Sequence, residues 1–189
     1  MAVLSIRITG DQVLHEPARP VTAFDHSLRT LVADMIETMK AAPGVGLAAP
    51  QVGVGLRVFV FDWTGDDGVR TSGTAINPSL WVTPVPVGEP DDEAESEGCL
   101  SIPGERFPLR RAREAILRAV DLDGAPYELR ASGWLARIFQ HEFDHLDGIL
   151  YADRLNHEQG RLARKTVKKN GWGVPGLSWL PGQDHLEGY

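Results

Sequence analysis

From Leu56 to Ala131 the chain alternates between short β-branched or aromatic runs and Gly, Pro or Asp-Gly breaks, and this punctuation limits the fold more than any other feature. The runs LRVFVFD (56–62), VRTSGTAINP (69–78), WVTPVPV (81–87), AILRAVDL (115–122) and PYELRA (126–131) each read as a strand. Asp123-Gly124 between the last two predicts a hairpin turn, and VLSIRI (3–8) predicts a further short strand. Helical patterns flank this block instead of alternating with its strands. Leu28, Leu31, Val32, Met35, Ile36 and Met39 recur at three- and four-residue steps between Asp25 and Lys40, with Asp25 or Ser27 as the cap and Pro43-Gly44 as the stop. A second helical pattern runs from about Ser132 to Asp147 and ends at Gly148. Strands segregated from helices in this way predict an α+β fold with antiparallel or mixed sheets.

With 189 residues and 42% hydrophobic content, the chain has enough apolar surface for one core. The expected organisation is a single catalytic domain over 1–170 and a Gly/Pro-rich tail over 171–189, extended or mobile. A third helix is expected near 156–170, carrying Arg161, Arg164, Lys165, Lys168 and Lys169. The acidic loop GEPDDEAESEG (88–98) reads as solvated. A net charge of -7 argues against binding free nucleic acid, because phosphate recognition needs a basic face. The lone Cys99 cannot close an intramolecular disulfide, and neither a leader pattern nor an apolar run of membrane-spanning length is visible. A cytoplasmic protein that does not enter the membrane is therefore expected.

The segment His141-Glu142-Phe143-Asp144-His145 falls inside the second helix, where residues four apart share a face. Both imidazoles can then reach one metal ion, with Glu142 beside them to take a proton from water. The helix is otherwise apolar at Leu135, Ile138, Phe139 and Leu146, so this face belongs inside the protein. A catalytic ion needs a third protein ligand. The extension H-E-x-x-H-x-x-G-x-x-H matches through Gly148 but fails where Tyr151 replaces the last histidine. Glu158 downstream and Cys99 upstream remain, and the sulfur in Glu97-Gly98-Cys99-Leu100-Ser101 offers a strong ligand for zinc or ferrous iron. Gly44-Val45-Gly46-Leu47-Ala48-Ala49-Pro50-Gln51 fits the dinucleotide pattern G-x-G-x-x-A, but a helix precedes it and a strand follows, the reverse of what nucleotide binding requires. A tight turn near a reacting group is the better reading, and the Gln51 amide could donate to a developing oxyanion.

G-V-G-L-A-A-P-Q, E-G-C-L-S and Q-H-E-F-D-H, in this order and spacing, resemble the signature of the peptide deformylases over roughly Ser5 to Arg154. The resemblance implies an α+β fold whose sheets pack around a central helix bearing the H-E-x-x-H motif. It implies a metal-dependent hydrolase that removes the formyl group from the N-terminal formylmethionine of newly made proteins. Cys99, His141 and His145 would be the metal ligands, Glu142 the general base and acid, and Gln51 with the Leu100 N–H the oxyanion donors. The backbone at Val45 and Gly46 would pair with the substrate, and Glu97, Trp134 and Ile138 would line the methionine pocket. Arg106 would give structural support, while Arg137 puts charge on a face that such a pocket should keep apolar. The resemblance further implies Fe2+ in the cell, with Zn2+, Ni2+ or Co2+ able to occupy the site in a preparation, and a bacterial or organellar setting. Nascent formyl-Met polypeptides are the expected partners. The basic helix 156–170 is a candidate ribosome contact, and a monomer is expected. The rivals are a different amide hydrolase, acting on another short N-acyl group or a small formamide, and a metal-holding or ribosome-docking protein without turnover.

Overall fold

A computed structural model describes residues 2–42 and 44–186. The chain runs β1 (Ile6–Arg7), α1 (His26–Ala41), β2 (Gly46–Ala48), β3 (Val58–Thr64), β4 (Arg70–Val82), β5 (Ser96–Cys99), β6 (Ile102–Pro108), β7 (Glu114–Val120), β8 (Pro126–Ser132), α2 (Gly133–Leu146), α3 (His157–Lys169) and β9 (Ser178–Trp179). An antiparallel sheet is ordered β2-β3-β4-β7-β8, and the pairs β5-β6 and β1-β9 stand beside it. The expected α+β class is borne out.

The helices form where the apolar spacing places them. Asp25 caps α1 by accepting the Ser27 and Leu28 N–H groups at 2.9 and 3.2 Å. Pro43, named above in the stop, lies outside the described residues. Helix α2 ends at Leu146, and the turn that follows closes at Gly148, whose φ of 73° suits glycine. A Cβ there would also meet the backbone of His15 and Glu16 at 2.7–2.8 Å, so the turn that closes the motif helix has two reasons to be glycine.

Strand β3 alternates between two cores. Phe59 and Phe61 face α2, packing with Ala136, Ile138, Phe139 and Leu146. Val58 and Val60 face the opposite side, with Leu28, Val32, Met35 and Met39 of α1. Each fully buried side chain of this size stabilises by roughly 1.5–3 kcal/mol. The motif helix is thereby held against the central sheet, with Phe61 edge-on to Phe139 at 5.0 Å between ring centres.

Several expectations change. The runs at 69–78 and 81–87 are not two strands: β4 continues from Arg70 to Val82 across a bulge at Asn77, whose φ is 49°. The strand stops before Pro84 and Pro86, which lack a ladder N–H. Only Ile6–Arg7 of VLSIRI pairs. The tail is also docked over much of its length. β9 pairs antiparallel with β1, Trp179 is 1% exposed, and the Ile8 and Gly173 N–H groups donate to Leu177 O and Thr9 O at 3.0 Å. Trp172, Leu177 and Trp179 carry the apolar surface that the Gly/Pro composition concealed, and all three join the core around α1. Residues 187–189 of the expected tail lie outside the described residues. No described helix is long and apolar enough to cross a membrane.

Candidate active site

Helix α2 presents His141, Glu142 and His145 toward the β5-β6 hairpin, whose first strand ends at Cys99. His141 Nε2 and His145 Nε2 are 3.2 Å apart, and Cys99 Sγ lies 3.3 Å from His145 Nε2. All three ligand atoms fall within 4.8 Å of one another. Metal bonds of about 2.0–2.1 Å to nitrogen and 2.3 Å to sulfur set tetrahedral neighbours roughly 3.3–3.6 Å apart, so this cluster has the dimensions of one ion's ligand set. A thiolate and two imidazoles are also the donor types that first-row divalent ions favour. Cys99 is therefore the sulfur that meets the two rings. Glu158, the other candidate, is exposed in the first turn of α3.

The ring of His141 is aimed from behind. Its Nδ1–H donates to Glu97 Oε1 at 2.7 Å, which leaves Nε2 with its lone pair toward Cys99 and His145. Glu97 is 3% exposed, and its carboxylate also accepts two bonds from Arg111 at 2.6 and 3.1 Å and one from Arg137 at 2.8 Å. Burial pushes the Glu97 carboxyl up, but the Arg111 guanidinium and His141 outweigh it and hold it well below the usual carboxylate range. Arg111 continues to Asp144 at 2.6 Å, and Asp144 accepts two bonds from Arg154 at 2.6 Å. Glu97, expected as a pocket lining, does border the cavity, yet its oxygens are taken up in orienting a ring.

A cavity of about 490 Å³ opens over the cluster. Val45, Gly46, Gln51, Glu97, Leu100, Trp134 and Ile138, all singled out by sequence, border it together with Cys99, His141 and Glu142. Glu142 is 4% exposed, and its Oε2 has no partner among the described residues. Burial pushes its carboxyl up to about 7. A Cβ on Gly46 would fall on the Glu142 carboxylate, so β2 and the motif helix approach this closely only through glycine. The Gln51 Oε1 accepts the Ala48 N–H at 2.8 Å, which turns its NH2 toward Ser101 Oγ at 3.4 Å and Cys99 Sγ at 3.8 Å.

Arg137 is 7% exposed, donates to Leu109 O at 2.7 Å and stacks over Trp134 at 5.1 Å. Its charge is paired with Glu97 at 2.8 Å, which answers the apparent conflict with an apolar pocket. Arg106 donates to Ser96 O at 2.7 Å from the cavity wall. Sequence reasoning singled out neither Arg111 nor Trp63, whose ring lies tilted against that of Trp134 with centres 6.2 Å apart.

Comparison with known proteins agrees with this geometry. The polypeptide deformylase family model matches residues 3–161. The chain belongs to the polypeptide deformylase family. It is 50% identical to a peptide deformylase of Mycolicibacterium paratuberculosis over 190 residues, covering 97% of this chain and 96% of that protein. A Tropheryma whipplei peptide deformylase is 49% identical over 193 residues, covering 95% and 94%. Among solved structures, a Legionella pneumophila peptide deformylase superposes with a TM-score of 0.75 at 39% identity, over 90% of this chain and 96% of that one. One from Synechococcus elongatus in complex with actinonin gives 0.76 at 35%, over 92% and 91%. Polypeptide deformylases are metallo-hydrolases that remove the N-terminal formyl group from nascent proteins, and that is the activity of this chain. The family uses a divalent metal, and Cys99, His141 and His145 fit one here.

Proposed function

We propose that the deformylation is carried out by Glu142, Gln51 and the Leu100 N–H around an ion held by Cys99, His141 and His145. A divalent ion on these ligands supplies positive charge that polarises a carbonyl and makes water more acidic. Glu142 takes the proton of the attacking water and returns it to the leaving amine, a role typically contributing about 10²–10⁴-fold. The Gln51 NH2 and the Leu100 N–H donate to the oxygen that gains charge as the formyl carbon becomes tetrahedral. β2 is an edge strand of the sheet, so the backbone at Val45 and Gly46 can take the substrate peptide as an added strand. Trp134 and Ile138, with the Glu97 side of the wall, receive the methionine side chain.

The observation that carries this reading is the buried Glu142 carboxylate, with an oxygen that has no partner among the described residues, lining a cavity with Cys99, His141 and residues of all three sequence motifs. The catalytic domain spans 1–170, and the docked segment that follows completes its core through Trp172, Leu177 and Trp179. The metal in the cell is Fe2+, with Zn2+, Ni2+ or Co2+ accepted in preparations, and the chain works as a cytoplasmic monomer in bacteria. Helix α3 touches the ribosome, a reading supported by the exposure of Arg161, Arg164, Lys165, Lys168 and Lys169. The test is anaerobic metal analysis coupled to deformylation of formyl-, acetyl- and longer-chain acyl-Met peptides by the wild type and Glu142→Ala. Glu142→Ala should keep its metal and lose at least about 10²-fold in turnover. Full activity in that variant, or a wild-type preference for the longer acyl groups, would overturn the reading.

A further inference from the structure

The segment Cys99-Leu100-Ser101 joins a metal ligand to a backbone donor, and it is gripped from outside by both ends of the chain. The Trp179 indole Nε1–H donates to Leu100 O at 2.8 Å, inside the protein, with Trp179 1% exposed. The Thr9 N–H donates to Ser101 O at 2.8 Å. The Ser101 N–H, in the same peptide unit as the Leu100 carbonyl, donates to Cys99 Sγ at 3.4 Å. A peptide unit is planar, so fixing its carbonyl fixes where its N–H points. Trp179 itself is held by the pairing of β9 with β1 and by the Ile8 N–H on Leu177 O at 3.0 Å.

We propose that Trp179 is a positioning residue for deformylation: its indole N–H fixes the Leu100–Ser101 peptide plane, which sets the Ser101 N–H···S bond to Cys99 directly and, through the shared Leu100 Cα and the tethered sulfur, restrains the adjoining Cys99–Leu100 unit that carries the Leu100 N–H. The proposal rests on the reading of the Leu100 N–H as an oxyanion donor. Two consequences separate this from simple core packing. Rotation of the plane would turn the adjoining Cys99–Leu100 unit about their shared Cα and so move the donor without emptying the pocket; kcat should then fall while KM stays put, because the donor matters only as negative charge develops. It would also lengthen the N–H···S bond, and a thiolate that loses such a bond donates more strongly to its metal.

The perturbation must keep the ring and remove the N–H. Replacing Trp179 by benzothienylalanine does so, sulfur standing in the ring for the NH, and Trp179→Phe provides an encoded second variant. Three readouts are taken on the full chain: amide hydrogen exchange at Leu100 and Ser101, the sulfur-to-metal charge-transfer band of the Co2+-loaded protein, and kcat with KM on a formyl-Met peptide. The expected result is faster exchange at Ser101, a shifted band, and a kcat lower by about tenfold at unchanged KM, less than the roughly 10²–10³-fold loss of an entire donor. Unchanged exchange and an unchanged band in the isostere would show that Trp179 does not hold the plane, and the proposal would be wrong. Faster exchange with unaltered kcat would also overturn it, and would place the fault in the Leu100 donor reading. A kcat that falls only in step with the melting temperature across both variants would reduce Trp179 to core packing.

Discussion

Gly46→Ala is the smallest change that tests how Glu142 is placed. Gly46 lies in β2, and its φ is not among the positive values, so alanine brings no backbone strain of its own. The added methyl would overlap Glu142 Oε1 and sit 2.7 Å from Cδ and 2.9 Å from Cγ. Ordinary contacts are about 3.5–4.0 Å, so the carboxylate must retreat by about 1 Å. The three nearest atoms all belong to Glu142, so the displacement falls on that carboxylate and not on the sheet. Overpacking of this kind costs about 1–3 kcal/mol, which a fold of this size tolerates. Misplacing a general base by about 1 Å costs on the order of 10²-fold in rate, so kcat should approach that of Glu142→Ala. The assay is steady-state deformylation with metal content and thermal unfolding measured on the same samples. A Gly46→Ala enzyme that holds its metal and turns over within a few-fold of wild type would show that Glu142 does not act from the observed position.

Gln51→Ala should fold and bind metal yet lose about 10²–10³-fold in kcat; near-normal turnover on a formyl-Met peptide would remove Gln51 from the chemistry. Arg111→Leu removes the buried cation shared by Glu97 and Asp144 and should cost about 3 kcal/mol in urea unfolding, the lower end of the usual range because Arg137 remains on Glu97 and Arg154 on Asp144. A loss under about 1 kcal/mol would mean the network carries little of the fold's stability. Glu142 in the metal-free protein has a folded pKa of about 7 against 4.5 unfolded, so its stabilising contribution is full below about pH 4.5 and lost as pH rises through 7. The metal-free wild type should therefore lose stability relative to Glu142→Gln between pH 4.5 and 7, and a pH-independent difference in their unfolding free energies would contradict the burial argument.

Legibility in the sequence followed the range of each interaction. Helix α2 and the His141/His145 pair were readable because a 3.6-residue period fixes which side chains share a face. β3, β7 and β8 were readable from β-branched composition and the Asp-Gly turn. The β5-β6 hairpin was not, because Pro103 and Gly104 interrupt the pattern of a strand that is nonetheless paired. Gly46–Ala48 is a three-residue strand and too short to leave a period. Asn77 bends β4 where the sequence looked like a strand end, since its Oδ1 and Nδ2 bond the Val21 N–H and O at 2.8 Å, a partner 56 positions away.

The acidic loop shows the same limit at the site itself. Read by composition, 88–98 is a solvated run, yet Glu95 pairs with Arg110 at 2.7 Å and Glu97 is sealed behind His141. A buried carboxylate requires a cation, so placing Glu97 beside Cys99 should itself have called for an arginine. That signal could have found Arg111 in the run Arg110-Arg111-Ala112-Arg113, where charge alone reads as surface. The consequence is mechanical: His141 answers to Glu97, Glu97 to Arg111, and Arg111 to Asp144, which lies between the two histidines on α2. The chain of bonds leaves the motif helix through one ligand and returns to it one turn later, so the ring of His141 cannot rotate without straining the helix that carries His145. The two motifs that carry Cys99, His141 and His145 are therefore tied together by a further segment that no motif marks, through Arg111 on both Glu97 and Asp144.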